Sequence, residues 1–459
     1  MIARCLPLGP ILVAAIAALH WLAATPAPAD EPTLLIDGCS LFDPYSAAMQ
    51  NDRTILIRGE RIVAVAPAGK PLEVPPDAMR IDGRGKFVLP GLIDAHVHLV
   101  HVLDLAGESG EVVLPLYLAA GVTSVRSTGD DLASAIRVAQ FADMHPASSP
   151  RVFTCSPLLD GDPPIHANAG RAVTDPAQVP AILDDLARQK VTTLKIYAGT
   201  ARDVGRAVID EGHRRGFFVT AHLGRYPAQQ AVADGIDGLE HIWSVFNYSI
   251  PPDHTGHRGT VDLDNPRCAD LVAEIAKRKT YVDPTLIVFR NMILLPDVAE
   301  VKDHPDNALA PPKLRAFWPI YLQRSGCPQG GALEDRRREF ARYQELTGKL
   351  FRSGVPLLVG TDSPEPQVTP GFSLHQELEL LVGSGLPPAG ALQAATLHNA
   401  VALKQAEHLG SIEPGKLADL VVLSANPLDD IRNTRRIDAV IRGGKVLRPA
   451  DLLRLVPRQ

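Results

Sequence analysis

The 459-residue sequence is sparing with cysteine: it has five, and only Cys39, Cys155, Cys268 and Cys327 lie beyond the first 29 residues. None belongs to a C-x-x-C pair, which argues against a zinc ribbon or a thioredoxin-like motif. Beyond residue 30 no stretch approaches the ~20 uninterrupted apolar residues of a membrane-spanning helix. The chain past that point is therefore expected to be soluble, with no stable membrane insertion. Basic blocks are missing as well. The 46 Lys and Arg are outweighed by 52 Asp and Glu, for a formal charge of −6, which argues against nucleic acid as a partner. Repeats and low-complexity segments are absent. With 46% hydrophobic and 21% charged residues, the composition excludes a disordered chain, a coiled coil and a collagen-like fibre.

The first 30 residues stand apart. Arg4 is the only formal charge before Asp30, and Leu6 to Leu22 is almost wholly apolar apart from His20. Ala27-Pro28-Ala29 supplies a small-x-small cleavage signature. This is the layout of a secretory signal peptide over residues 1–29, so export to the periplasm or the medium is expected. An uncleaved anchor is the competing reading, which the short, Pro-interrupted run disfavours. In an exported protein one disulfide can form. Cys268 and Cys327, in one irregular region, are the first pair to consider, with buried free thiols as the competing reading.

The rest divides into three zones. Residues 30–88 read as short strands and turns; Thr54-Ile55-Leu56-Ile57-Arg58 followed by Gly59-Glu60 is a hairpin signal. Over 89–403 strands alternate with helical patterns. Candidate barrel strands are Phe87–Ile93, Ser124–Ser127, Val152–Cys155, Thr193–Tyr197, Phe218–Ala221, Gly238–Glu240, Tyr281–Val282 and Leu357–Gly360. Residues 404–459 return to β character. The pattern predicts an α/β protein: a (β/α)₈ barrel beside a small β-sandwich built from both chain ends. One stretch, about 246–333, breaks the barrel rhythm with many prolines. It reads either as a lid over the active-site face or as an ordinary surface excursion.

Fifteen histidines are present, and their positions carry the chemistry. In Asp94-Ala95-His96-Val97-His98, two histidines two apart on a strand share one side and can bind one metal. An H-x-H alone is a weak signal, but this one closes an apolar run where unsatisfied imidazoles would be costly. Lys195 sits inside the strand-like Thr193–Tyr197, where a buried amine needs a partner or a shifted pKa. A lysine reaching out from the strand end is the plainer alternative. His222, His241 and Asp362 each end a further strand pattern. Any one of these could be structural; five strand ends converging on the face where barrels place active sites indicate a joint metal role.

These motifs resemble the amidohydrolase superfamily, in particular its imidazolonepropionase-like and Xaa-Pro-dipeptidase-like subgroup. The resemblance rests on Leu89–His98, Gly121–Arg126, Leu194–Tyr197, Gly238–His241, Gly360–Asp362 and Pro414–Leu420, in that order along nearly the whole chain beyond residue 29. It implies a distorted barrel with a split sandwich. It also implies that His96, His98 and Asp362 hold one divalent cation and that His222 and His241 hold a second. Carboxylated Lys195 would bridge the two ions, with zinc as the default metal. In that scheme the metals activate a hydroxide, and Asp362 takes the water's proton and passes it to the departing nitrogen.

For the substrate, the resemblance points to a small-molecule amide, a dipeptide or an N-acyl amino acid. His166, beyond the third strand, stands where relatives place a substrate-contacting histidine. Dipeptidase-type relatives carry a tyrosine two residues after the strand-five histidine, whereas here Leu223-Gly224-Arg225-Tyr226 follows His222. Arg225 or Tyr226 is then the candidate for a substrate carboxylate or an oxyanion. Tyr197 and His375 are weaker candidates, His101 is not counted as a ligand, and Ser127 stands where relatives often carry an acid. The alternatives are a cyclic amide or imide hydrolase, a deaminase (which Lys195 disfavours), and a catalytically silent metal-binding scaffold. Assembly into a homo-oligomer is left open.

Overall fold

The computed structural model describes residues 31–247, 262–325 and 332–457. The signal-peptide expectation and Cys327 lie outside the described residues; Cys268 is fully buried. Along the chain run β1 (Thr33–Asp43), β2 (Ala48–Arg58), β3 (Arg61–Pro67), β4 (Met79–Asp82) and β5 (Phe87–Pro90). The middle supplies β6 (Leu92–Val97), β7 (Val122–Ser127), β8 (Arg151–Asp160), β9 (Gly170–Ala172), β10 (Thr193–Ile196), β11 (Phe218–Ala221), β12 (Gly238–Glu240) and β13 (Tyr281–Asp283). Near the end come β14 (Leu420–Leu423), β15 (Ile437–Arg442) and β16 (Lys445–Leu447).

Both chain ends join one sheet, in the order β16-β15-β14-β5-β1-β2-β3, with β4 paired to β1. The seam is β14 against β5, antiparallel from Leu420↔Pro90 to Leu423↔Phe87. Ile36, Ile55, Ile57, Val88, Leu420 and Ile441 pack together there, and this apolar burial ties residues 33–90 to 420–447.

The run Phe87–Ile93, expected as one strand, makes two. It breaks at Gly91, where a β-carbon would fall 2.0 Å from Thr123 Oγ1. Before the break the chain belongs to the sandwich, and after it β6 enters the barrel. The barrel order is β13-β12-β11-β10-β8-β7-β6, with neighbouring strands parallel.

The expected eighth strand, Leu357–Gly360, is an extended but irregular segment rather than a regular strand. It still closes the gap between β13 and β6: Leu358 N donates to Val282 O (2.9 Å) and Ala95 N to Val359 O (3.0 Å). Close approach at Gly360 explains the irregularity. A β-carbon there would lie 2.2 Å from Asp283 Oδ2 and 2.4 Å from the His96 Cβ.

Helices form where caps and apolar stripes allow. Asp131 caps Leu132–Met144 by accepting from Ser134 N, and Asn265 caps Pro266–Arg278 in the same way. Part of the Pro-rich stretch at 246–333 thus belongs to the barrel itself, since it contains this helix and β13. Past β13, Leu286–Val288 is a short helix that continues as a π-helical run, Phe289–Leu294.

Candidate metal centre

A strand puts residues two apart on one side, and β6 uses this to aim His96 and His98 at the C-terminal mouth of the barrel. Lys195 comes from β10. His222 directly follows β11, and His241 directly follows β12. Asp362 ends the irregular eighth segment. His241 (φ 60°) and Asp362 (φ 63°) both take left-handed backbone, a conformation that costs a non-glycine residue of order 1–3 kcal/mol and concentrates at functional sites. Neighbouring strands hold them there: His241 N donates to Asp283 O (2.9 Å) and Asp362 N to His96 O (2.8 Å).

Five of the six side chains meet, and Lys195 lines the same cavity. Asp362 Oδ1 lies 3.0 Å from His98 Nε2 and 3.5 Å from His96 Nε2, and Asp362 Oδ2 lies 3.9 Å from His241 Nδ1. The His241 ring centroid is 4.6 Å from that of His96 and 4.7 Å from that of His222. Donors about 2.0–2.1 Å from one tetrahedral cation stand roughly 3.3 Å from each other, so these separations suit ligands converging on a metal. Two buried atoms support the fit. His96 Nε2 and Lys195 Nζ have no hydrogen-bond partner, although such groups are costly to bury unsatisfied. Imidazole and carboxylate donors suit Zn²⁺, and a lysine carbamate would add anionic oxygens to the set.

Behind the cluster sits a buried polar layer. His96 Nδ1 donates to Glu240 Oε2 (2.8 Å). Glu240 Oε1 also accepts from Arg126 Nη2 and from Thr220 Oγ1, each at 2.7 Å. Burial opposes ionisation of Glu240, but Lys195, Arg126 and His96 outweigh it and hold its carboxyl well below the usual range. Asp362 behaves alike: burial is overcome by His241, His96 and His98, and it stays ionised. Burial lowers His96 to about 4 and His222 to about 3, so both rings are neutral and offer lone pairs. Burial also lowers the Lys195 ammonium, which favours the neutral amine that can add CO₂. Burial works against a charge on His98, but the Asp130 and Asp362 carboxylates prevail and push it up to about 10; a cation held at Nε2 would take the place of that proton.

A cavity of about 210 Å³ opens over this cluster. His166 lines it and pairs through Nε2 with Tyr197 Oη (2.9 Å), while the Tyr197 ring sits 4.8 Å from that of His222. Arg225 and Tyr226 are not brought to it. Arg225 is exposed, and buried Tyr226 donates its hydroxyl to Asp234 Oδ2 (2.8 Å). His375 lies elsewhere, bonded to Thr434.

From the sequence, His101 is set aside and Asp130 and Glu365 are not reached. His101 stacks on His98 with ring centroids 4.3 Å apart, between Asp130 (3.8 Å) and Glu365 (3.4 Å). Asp130 Oδ1 is 3.4 Å from His98 Nδ1, and Ser127 donates its hydroxyl to Asp130. Asp130 lies three residues past β7 and is buried, whereas its neighbour Asp131 is the exposed cap of the following helix. Trp243, Val288, Phe289 and Met292 complete the opposite side.

Comparison with known proteins agrees with this arrangement. The amidohydrolase family model matches residues 87–447. The chain is similar to imidazolonepropionase from Geobacillus thermodenitrificans, 25% identical over 80% of this chain and 82% of that protein. Imidazolonepropionase from an Anaeromyxobacter species is 24% identical over 90% and 94%. Among solved structures, a Xaa-Pro dipeptidase with bound methionine superposes with a TM-score of 0.66 at 22% identity, covering 91% of this chain and 100% of the other. Bottromycin amidohydrolase superposes at 0.72 and 24% identity, covering 93% and 89%. With the barrel, the mixed sheet and the His/Asp cluster in place, the match over residues 87–447 assigns the chain to the amidohydrolase family, the metal-dependent hydrolases of carbon–nitrogen bonds.

Proposed function

We propose that this protein is an exported binuclear amidohydrolase that cleaves a linear amide in a dipeptide or N-acyl amino acid. Its two cations, by donor chemistry Zn²⁺, would be held by His96, His98 and Asp362 and by His222 and His241, with carboxylated Lys195 shared between them. The observation that carries the reading is Lys195: buried on a strand among four histidines and an aspartate, its Nζ has no hydrogen-bond partner. Adding CO₂ to the neutral amine, with loss of one proton, turns this orphaned group into an anionic ligand.

When bound, the cations supply Lewis-acid polarisation of the carbonyl and lower the pKa of the attacking water. The remaining work falls to the chain. Asp362, ionised and fixed by its neighbours, accepts the water's proton and returns it to the departing nitrogen. Glu240 holds His96 in the tautomer that leaves Nε2 free. The His166–Tyr197 pair offers hydrogen bonds to the substrate at the cavity mouth.

The long imidazolonepropionase matches favour a second reading, hydrolysis of a cyclic amide. An assay of the enzyme loaded with Zn²⁺ and bicarbonate tests both against dipeptides, N-acyl amino acids and cyclic amides. Turnover of the linear amides supports the proposal, and turnover of cyclic amides alone supports the second reading. No turnover with two metals bound would leave a catalytically silent scaffold.

A further inference from the structure

The cavity above the ligand cluster has two unlike ends. Beside His222 stands the hydrogen-bonding pair Tyr197 and His166. Beside His241, with ring centroids 6.3 Å apart, stands Phe289, which belongs to an apolar wall with Val288, Met292 and Ile293. A π-helix has about 4.4 residues per turn because its bonds run i→i+5. Positions four and five apart then share a face, so Phe289 and Ile293 of the Phe289–Leu294 run lie beside Met292 and Val288, the last residue of the preceding helix.

This wall is anchored from behind. Leu286 N and Ile287 N donate to the buried Glu377 carboxyl group at 3.0 and 2.6 Å. Arg290 Nη2 donates to Gln376 Oε1 (2.6 Å), and Asn291 Nδ2 to Gln367 O (2.7 Å). The polar residues of the run thus face the scaffold, and the apolar ones are left for the cavity. Among the described residues no arginine lines the cavity, and Glu365, its lining carboxylate besides Asp362, stands 3.4 Å from His101 Nδ1. An ammonium or carboxylate pressed on the wall would lose its hydration without gaining a partner, at a cost of several kcal/mol.

From these two ends we infer that the substrate is an N-acyl amino acid whose acyl group is an uncharged hydrocarbon. The acyl chain lies on Val288, Phe289, Met292 and Ile293, and the polar amino-acid part faces Tyr197 and His166. A free dipeptide, with an ammonium on its acyl side, is the poor substrate of the two. This rests on the amidohydrolase reading above and narrows it.

The test uses the metal-loaded enzyme and two matched series, one lengthening the acyl group from acetyl to hexanoyl, the other lengthening the side chain of the amino acid. Burying each methylene against the wall should raise kcat/KM about fourfold in the acyl series, and Met292→Lys should flatten that rise. Equal rates along the acyl series, a rise confined to the amino-acid series, or faster cleavage of the free dipeptide would each overturn the inference. If no amide is turned over, the hydrolase reading fails, and calorimetry with the same compounds still decides the wall. Tighter binding of hexanoyl than acetyl compounds, abolished by Met292→Lys, supports it; equal affinity overturns it.

Discussion

His96 Nδ1 donates to Glu240 Oε2 across 2.8 Å, and neither side chain is exposed. Because Glu240 is held ionised, it can only accept, so the hydrogen sits on Nδ1 and the lone pair on Nε2 faces Asp362. One carboxylate in this way fixes the His96 ring from β6 while its own residue immediately precedes His241.

Glu240→Gln keeps the shape but removes the charge. Metal affinity should fall about ten- to hundredfold, as for other partners of ligating histidines. Buried Arg126 would lose its counter-charge, at about 3–5 kcal/mol of stability. Metal titration and urea unfolding check the two effects, and wild-type values for both would contradict the role.

Asp362→Asn retains the size of the side chain and loses the proton acceptor. Single-turnover kinetics should show kcat lowered by about 10² to 10⁴. A loss below about tenfold would rule out a general-base role.

Glu377 makes stability depend on pH. Burial pushes its carboxyl up to about 8 from an ordinary value of 4.5, although the Leu286 and Ile287 N–H groups pull the other way. Between those values the folded chain holds a proton that the unfolded chain has released. The contribution of this group is therefore fully present below about pH 4.5 and is lost as pH rises towards 8, with a slope of at most about 1.4 kcal/mol for each pH step of one. Glu377→Gln should make this fall shallower in urea midpoints measured from pH 5 to 8; an unchanged slope would contradict the assignment.

Tyr226→Phe separates packing from catalysis. The hydroxyl bonds Asp234 outside the cavity, so kcat/KM should stay within about twofold while unfolding free energy drops by about 1 kcal/mol. A large fall in kcat/KM with unchanged stability would return Tyr226 to the substrate.

The convergence of His96, His98, His222, His241 and Asp362 was legible because each stands at or just past a strand end, and a barrel collects such ends on one face; Lys195, inside β10, stood out as a buried amine. Arg225 and Tyr226 were misplaced because sequence distance from a strand end does not fix direction. Gly224 packs so tightly on Ala198 that a β-carbon would lie 2.5 Å from its carbonyl oxygen. The chain turns there, and Tyr226 packs against Gly205, where a β-carbon would meet the ring at 2.6 Å. The irregular eighth segment was hidden for a similar reason: Gly360 is dictated by Asp283 and His96, far away in sequence. Asp130, Glu365 and the apolar wall gain meaning only from contacts across the barrel mouth, which no local pattern reports.

The central claim is that Lys195 is a shared anionic ligand, and metal stoichiometry tests it most directly. Wild-type protein and Lys195→Ala, each loaded with Zn²⁺ and bicarbonate, are compared for bound metal and amide turnover. The account predicts two metal equivalents in the wild type, and lost occupancy with loss of activity in Lys195→Ala. Two full equivalents with normal turnover in Lys195→Ala would contradict it.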